Sequence, residues 1–303
     1  MRQQTAVIDF GTNTARLLIG ERGASGAVTP LLIKRWITRL GGGFSRETGI
    51  TREATVRSIS ALRDFAEEIH NHNVSRVRAV ATSAVRDAAN RAAFCDEIFR
   101  ETDIRLEIID SQEEGILTLN GVLSGIDDRQ SDFLVFDVGG GSTEYTLTRQ
   151  RAPVFTDSLP LGVVRLTEGK KELGAMEEKI SRELTLLSGK LQAEGLLGSL
   201  PGVTLVGTAG TATTLAAISL KMTDYDYRLV NNHTLSLAEI REIFGMLLPM
   251  TPAERLQVPG LEKGREDLII AGTLITLKTM EVFGFGLLKV SDFGLLEGLL
   301  LSV

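Results

Sequence analysis

Two short segments of this 303-residue chain carry glycine, hydroxyl and acidic residues at matching intervals. In one, Asp9 is followed by Gly11, Thr12, Asn13, Thr14 and Arg16; in the other, Asp137 is followed by Gly139, Gly140, Gly141, Ser142, Thr143 and Glu144. In both, glycine comes two residues after the aspartate and a hydroxyl residue five after it, Thr14 in the first and Ser142 in the second. A tight turn of this composition gathers N–H and O–H donors that can wrap phosphate oxygens, with glycine allowing close approach and positive φ. The aspartate at the end of the preceding apolar run can hold Mg2+ directly or through water. Either segment alone is equally well explained as an ordinary turn. Their repetition points instead to two facing turns that clamp a phosphate.

Other side chains suit the same chemistry. Arg86, in the run 82–90 beyond an apolar segment, has a planar cationic fork fitted to phosphate, and its structural alternative is an ion pair with Asp87 or another nearby acid. Glu114 stands at capping-box spacing from Ser111, so it can bond back to a helix start; a carboxylate there can also orient or deprotonate an attacking water. The small residues of the turn 207–211, among them Gly207, Gly210 and Thr211, admit a flat or anionic group, or simply close packing of strand and helix. Cys95 sits beside Phe94 and Ile98 and reads as a buried small residue, since a single cysteine excludes an internal disulfide. His70 and His72 read as helix-end residues and His233 as a loop residue, with no metal-site spacing among the three.

The elements that must position these groups follow from periodicity. Apolar runs at 5–8 and 133–136 lead into the two turns, and strand-like texture resumes at 15–20 and 144–148, so each turn reads as a β-hairpin tip. A helix is expected over 51–71 with Val56, Ile59, Leu62, Phe65 and Ile69 on its apolar face, then a strand at 76–81 and a helix capped by Asn90. The strand 106–109 precedes the helix bearing Glu114. Helices near 175–194, 235–248 and 266–283 and strands at 203–206 and 287–291 complete an α/β pattern. Length favours two domains, 1–126 and 127–303, with the terminal helix able to pack back on the first.

Composition is that of a globular protein, 43% apolar and 24% charged. The net charge of −6 argues against general nucleic-acid binding, although a local basic pocket can still hold a polyanion. The run from Met1 to Asp9 has neither the form of a signal peptide nor the length of a membrane span, so a cytoplasmic protein with no membrane partner is expected.

Taken together, residues 9–16, 81–90 and 137–144, with 207–211, 265–267 and 291–294, resemble in order the motifs of the exopolyphosphatase and guanosine pentaphosphate phosphatase (Ppx/GppA) family. The resemblance spans nearly the whole chain. It implies two ribonuclease-H-like domains of the actin, Hsp70 and sugar kinase superfold, with an interdomain cleft. It also implies hydrolysis of terminal phosphoanhydrides of inorganic polyphosphate or guanosine pentaphosphate, Mg2+ or Mn2+ as cofactor, and a homodimer. By position, Glu114 matches the catalytic carboxylate, with Glu113 the alternative, and Asp137 and Glu144 match acids near metal and water. Gly139, Gly140, Gly141, Ser142 and Thr143 match a phosphate turn, and Thr12, Asn13, Thr14, Arg16 and Arg86 match phosphate contacts. Asp9 would help position metal, while Gly207, Gly210, Thr211 and Arg265 would lie on the side of a nucleotide. The chain departs from the family pattern at residues 110–112, at Ala209 and at Leu296. A non-catalytic sensor of guanosine tetraphosphate or ATP and a kinase-like phosphotransferase are the competing readings, and three intact carboxylates favour hydrolysis.

Overall fold

The computed structural model describes residues 4–23, 28–45, 47–128, 132–170 and 172–303; the signal-free reading of the N-terminus falls partly on residues 1–3, outside them. The chain forms two compact units, one of Met1–Ser124 with Gly294–Val303 and one of Gly125–Phe293.

In the first unit, β1 (Gln4–Phe10), β2 (Thr14–Arg22) and β3 (Val28–Ile37) are followed by α1 (Arg52–Asn71), β4 (Arg76–Ala81), α2 (Ser83–Asp87), α3 (Arg91–Thr102), β5 (Leu106–Ile108) and α4 (Ser111–Gly125). Among the described residues these make a five-stranded sheet in the order β3-β2-β1-β4-β5, an antiparallel meander extended by parallel strands. Alternate residues of β1 serve two layers. Ala6, Ile8 and Phe10 join Leu62 and Phe65 of α1 and Ile98 of α3, whereas Val7 joins Leu18, Val80 and Leu117 on the opposite face. A strand buried on both faces has no polar side to show, which explains its nearly continuous apolar sequence.

The second unit runs β6 (Phe133–Val138), β7 (Thr143–Arg149), β8 (Ala152–Leu159), α5 (Val163–Gly169), α6 (Leu173–Ala193), β9 (Thr204–Thr208), α7 (Ala209–Ser219), α8 (Tyr227–Val230), β10 (Thr234–Ser236), α9 (Leu237–Leu247), α10 (Pro252–Arg255), α11 (Ile269–Phe283) and β11 (Leu287–Val290). Its sheet, β10-β11-β9-β6-β7-β8, repeats the plan of a meander followed by parallel strands. The last helix, α12 (Leu295–Ser302), belongs to the first unit, where it buries Leu295, Leu296, Leu299 and Leu300 against Val7, Leu18 and Val80. Leu296, where the family pattern has arginine, is thus a core residue. Glycines let α12 meet α4 closely: a Cβ on Gly121 would overlap the Gly294 carbonyl, and one on Gly298 the Leu117 carbonyl. No helix among the described residues is long and apolar enough to cross a membrane.

Several local expectations are corrected. Val56 is exposed, and Ala54, Ser58 and Ala61 complete the buried face of α1 instead. Repeated three-residue steps drift by about 60° each, so Val56 has turned off the face centred between Leu62 and Ile69. Asn90 precedes α3 without capping it; its side chain bonds both the N–H and the carbonyl of Ile50, at 2.9 Å each, and so ties down a distant loop. Leu235 lies in β10, and α9 starts after a capping box of Ser236 and Glu239.

Candidate active site

The first turn is closed by the Gly11 N–H donating to the Thr14 carbonyl at 2.9 Å. Directly across the hairpin from each other stand Asp9 and Arg16, and the arginine donates through Nε and Nη2 to Asp9 Oδ2 at 3.1 and 2.7 Å. The segment after β3 reaches back: Arg39 N–H bonds the Asn13 carbonyl at 2.9 Å and Gly41 N–H the Thr12 carbonyl at 2.8 Å. With those carbonyls engaged, Thr12 Oγ1 and Asn13 Oδ1 remain buried without a hydrogen-bond partner among the described residues. A buried polar group left so costs about 1–3 kcal/mol, which a bound polar ligand or water removes. The Asn13 amide can present either its oxygen or its two N–H donors.

The second turn uses the same closure, Gly139 N–H to the Ser142 carbonyl at 3.0 Å. Here the segment after β8 reaches back, Val163 N–H bonding the Gly139 carbonyl at 3.0 Å while Val164 and Arg165 N–H bond the Gly140 carbonyl at 3.0 and 3.2 Å. The Thr143 hydroxyl donates to the Leu161 carbonyl. A trans peptide sets C=O and N–H on opposite sides, so drawing the Gly140 carbonyl toward α5 turns the Gly141 N–H away from it and makes it available as a donor.

Gly162, which sequence reasoning passed over, permits this arrangement, because a Cβ there would overlap the backbone of Gly140 and Gly141. The repeat that reveals the turns, carried one strand further to the residues after β3 and β8, is the signal that finds it. Gly162→Ala should displace the turn, and a displacement near 1 Å can cost about a hundredfold in kcat/KM. A folded Gly162→Ala protein with wild-type kcat/KM would remove the turn from the site.

Where Asp9 faces Arg16 in the first unit, Asp137 faces Glu144 in the second. Glu144 is 3% exposed and accepts the Ser158 hydroxyl at 2.8 Å. Two carboxylates at opposed positions of neighbouring strands repel each other, and a divalent cation relieves the repulsion. No group of three or more His, Cys, Asp or Glu residues forms a metal cage among the described residues. The Asp137 and Glu144 pair nevertheless suits Mg2+, which keeps several waters and commonly takes one or two carboxylates together with substrate phosphate. Asp9 stands opposite Arg16 and accepts its guanidinium.

The paired glutamates on α4 point to different partners. Glu114 is 8% exposed and its Oε2 accepts Arg86 Nη1 at 2.9 Å, while the same Nη1 donates to the Ile109 carbonyl at 3.1 Å. The more exposed Glu113 accepts Arg78 Nη2 at 2.8 Å, and Arg78 also forks onto Glu107 at 3.0 and 3.1 Å. Of the two alternatives for Glu114, the box with Ser111 is pre-empted, because the Glu114 N–H bonds the Asp110 carbonyl at 3.0 Å. Asp110 caps the helix instead, its Oδ1 accepting the Glu113 N–H at 2.8 Å, which frees the Glu114 carboxylate to meet Arg86. Arg86 thus forms an ion pair with a nearby acid, Glu114.

Arg86→Ala should mainly raise KM, by about ten- to a hundredfold if a charge-assisted hydrogen bond to phosphate of about 1.5–3 kcal/mol is lost. A variant that unfolds would assign Arg86 a structural role.

At the junction of β9 and α7, the Arg265 guanidinium packs against Gly210, where a Cβ would overlap it, and its Nε donates to Glu262 Oε2 at 3.0 Å. Gly207 packs tightly among Ala212, Leu288 and Phe136, and Thr211 packs against Gly272. Ala209 has φ 61°, a left-handed conformation that costs a non-glycine residue about 1–2 kcal/mol and accounts for the glycine in the family pattern. Away from these residues, Cys95 is half-buried and burial pushes its thiol up, which suits packing and not nucleophilic attack. His70 and His72 close α1, and His233 lies in the turn before β10 with Nε2 buried and unpartnered among the described residues.

Residues 20–303 match the model of the Ppx/GppA phosphatase family. The chain belongs to that family. Arg86, Glu114 and the second turn lie inside the matched span, and the first turn just before it. Exopolyphosphatase 2 of Mycobacterium tuberculosis is 33% identical over 99% of this chain and 98% of its own. A bifunctional 3-dehydroquinate synthase/phosphatase of Fusobacterium nucleatum is 30% identical over 98% of this chain and 46% of its own. Among solved structures, the Aquifex aeolicus Ppx/GppA enzyme has 32% identity and a TM-score of 0.80 over 100% of both chains. An exopolyphosphatase from Cytophaga hutchinsonii has 27% identity and a TM-score of 0.88 over 98% of this chain and 96% of its own. The fold is accordingly two ribonuclease-H-like units of the actin-like superfold, and the protein is a phosphatase.

Proposed function

We propose that this phosphatase is an exopolyphosphatase that releases the terminal phosphate of inorganic polyphosphate, and that the 5′-γ-phosphate of guanosine pentaphosphate is open to the same chemistry. The observation that carries the reading is the buried Glu114 carboxylate held 2.9 Å from Arg86 at the start of α4. A base and a cation in one place serve hydrolysis, since one can orient water while the other takes phosphate oxygen. The near full-length likeness to a relative named exopolyphosphatase supports the substrate class.

In this reading Glu114 accepts a proton from water as the water oxygen attacks the terminal phosphorus. The bridging P–O bond breaks, and the electron pair leaves with the shortened chain. Amide and hydroxyl donors of the turns, Thr12, Asn13, Thr14 and Ser142 among them, stabilise the charge gathering on the equatorial oxygens. Asp137 and Glu144 would hold Mg2+ or Mn2+, which when bound neutralises phosphate oxygens. The test is phosphate release from polyphosphate and from guanosine pentaphosphate in parallel, with and without Mg2+. Release from polyphosphate that depends on Mg2+ is expected, and tight binding of either compound without release would favour a sensor.

A further inference from the structure

Arg57 is an exposed residue of α1, a setting in which one charged side chain ordinarily replaces another at little cost. Its guanidinium is nevertheless turned onto a single segment. Nε donates to the Thr38 carbonyl at 2.8 Å and Nη2 to the Arg39 carbonyl at 3.3 Å. Both carbonyls belong to the strap, residues 38–41, that follows β3 and closes on the first turn through Arg39 N–H to the Asn13 carbonyl and Gly41 N–H to the Thr12 carbonyl. Such a strap needs an external anchor. Gly41, Gly42 and Gly43 follow one another directly, and Arg39 has φ 45°, a left-handed conformation that disfavours a residue with a Cβ. Leu40, wholly buried in the core of the first unit, sets the depth of the strap. Apolar burial is not directional, so it leaves the tilt of the neighbouring peptide planes to hydrogen bonds.

The peptide that joins Thr38 to Arg39 is the direct link. It is one rigid trans plane whose carbonyl and N–H point to opposite sides. Arg57 Nε holds the carbonyl end, and the N–H end donates to the Asn13 carbonyl at 2.9 Å. A tilt of that plane cannot loosen one bond without disturbing the other. A cationic donor on the carbonyl also polarises the amide and strengthens its N–H as a donor. Thr12 Oγ1, Asn13 Oδ1 and Thr38 Oγ1 are buried without a partner among the described residues, so turn and strap together present three polar groups open to a ligand or water. We propose that Arg57 is a positioning residue of the phosphatase reaction, which fixes the first turn through the strap so that Thr12 and Asn13 meet the phosphate oxygens. The proposal rests on the exopolyphosphatase reading for its substrate and on Thr12 and Asn13 as phosphate contacts.

The test is a double-mutant cycle read as kcat/KM for inorganic polyphosphate in wild type, Arg57→Ala, Asn13→Ala and the double variant, with amide hydrogen exchange over residues 38–41. Arg57→Ala should stay folded, lower kcat/KM about tenfold and speed exchange in the strap. Arg57→Lys, which keeps the charge without the fork, should fall between it and wild type. The double variant should lose markedly less than the product of the two single losses, because both act on the same contact, whereas a role in general stability would let the losses multiply. Wild-type kcat/KM in folded Arg57→Ala, or losses that multiply, would overturn the proposal. If Arg57→Ala does not fold, Arg57→Lys takes its place in the same cycle. Should the wild type release no phosphate from polyphosphate, or Asn13→Ala keep wild-type kcat/KM, the reading of the site fails, and Arg57 is judged by exchange alone. Faster exchange over residues 38–41 in the Arg57 variant would then uphold its positioning of the strap, and wild-type exchange would overturn it.

Discussion

Glu114→Gln should lower turnover by about two to four orders of magnitude, the usual loss when a general base is removed. The fold should survive, because the amide oxygen can still accept from Arg86 Nη1 as the carboxylate does at 2.9 Å. Phosphate affinity should also survive, since the turns are untouched. Glu113→Gln is the control: that side chain is engaged by Arg78, which keeps a second anchor on Glu107, so the loss of turnover should be severalfold at most. Steady-state phosphate release, with thermal melting of both variants, measures the difference. Equal turnover of Glu114→Gln and wild type would exclude Glu114 as the base, and a larger loss at Glu113 would transfer the role to it.

Removal of Gly294–Val303 should unfold the first unit while leaving the second folded. Leu295, Leu296, Leu299 and Leu300 are each at most 3% exposed. Burying a leucine is worth about 1.5–3 kcal/mol, so four together rival the entire stability of a domain. The loss would also uncover Val7, Leu18 and Val80 on the inner face of the sheet. Gly298→Val asks the same question with a single change, as its side chain would collide with the Leu117 carbonyl on α4. Hydrogen exchange read separately over the two units is the appropriate measurement, and protection retained throughout residues 4–124 of the truncated chain would contradict the expectation.

How much of this was legible in the sequence depended on how local each signal was. The hairpin tips, the parallel strands and α1 could be read because alternation, turn residues and helical period act within a few positions. Arg86 and Glu114 could be named as chemical candidates, yet their partnership could not, since nothing local brings residue 86 to residue 114. The same holds for Asn90, where a good capping residue is used instead to hold Ile50. Ser111 and Glu114 have the right spacing for a box, but Asp110 competes one residue earlier and takes the cap. Gly162 carries no local signal, because its reason, the backbone of Gly140 and Gly141, lies a whole hairpin away, and only the repeat between the two halves points to it.

The placement of α12 also bears on how the protein comes into being. A nascent chain emerges with β1, β2 and β3 first, and domains are ordinarily expected to fold in that order. Here the meander's second face is covered by α12, which follows the whole of the second unit in sequence. The stretch Gly125–Phe293 contains all of its own unit and can mature on the ribosome, while the earlier-made half waits with an apolar sheet face bare until α12 has been made. Emergence of α12, not of the first strands, would then mark the completion of the older half's folding, and the interval before it is when that half is most exposed to chaperones and to aggregation.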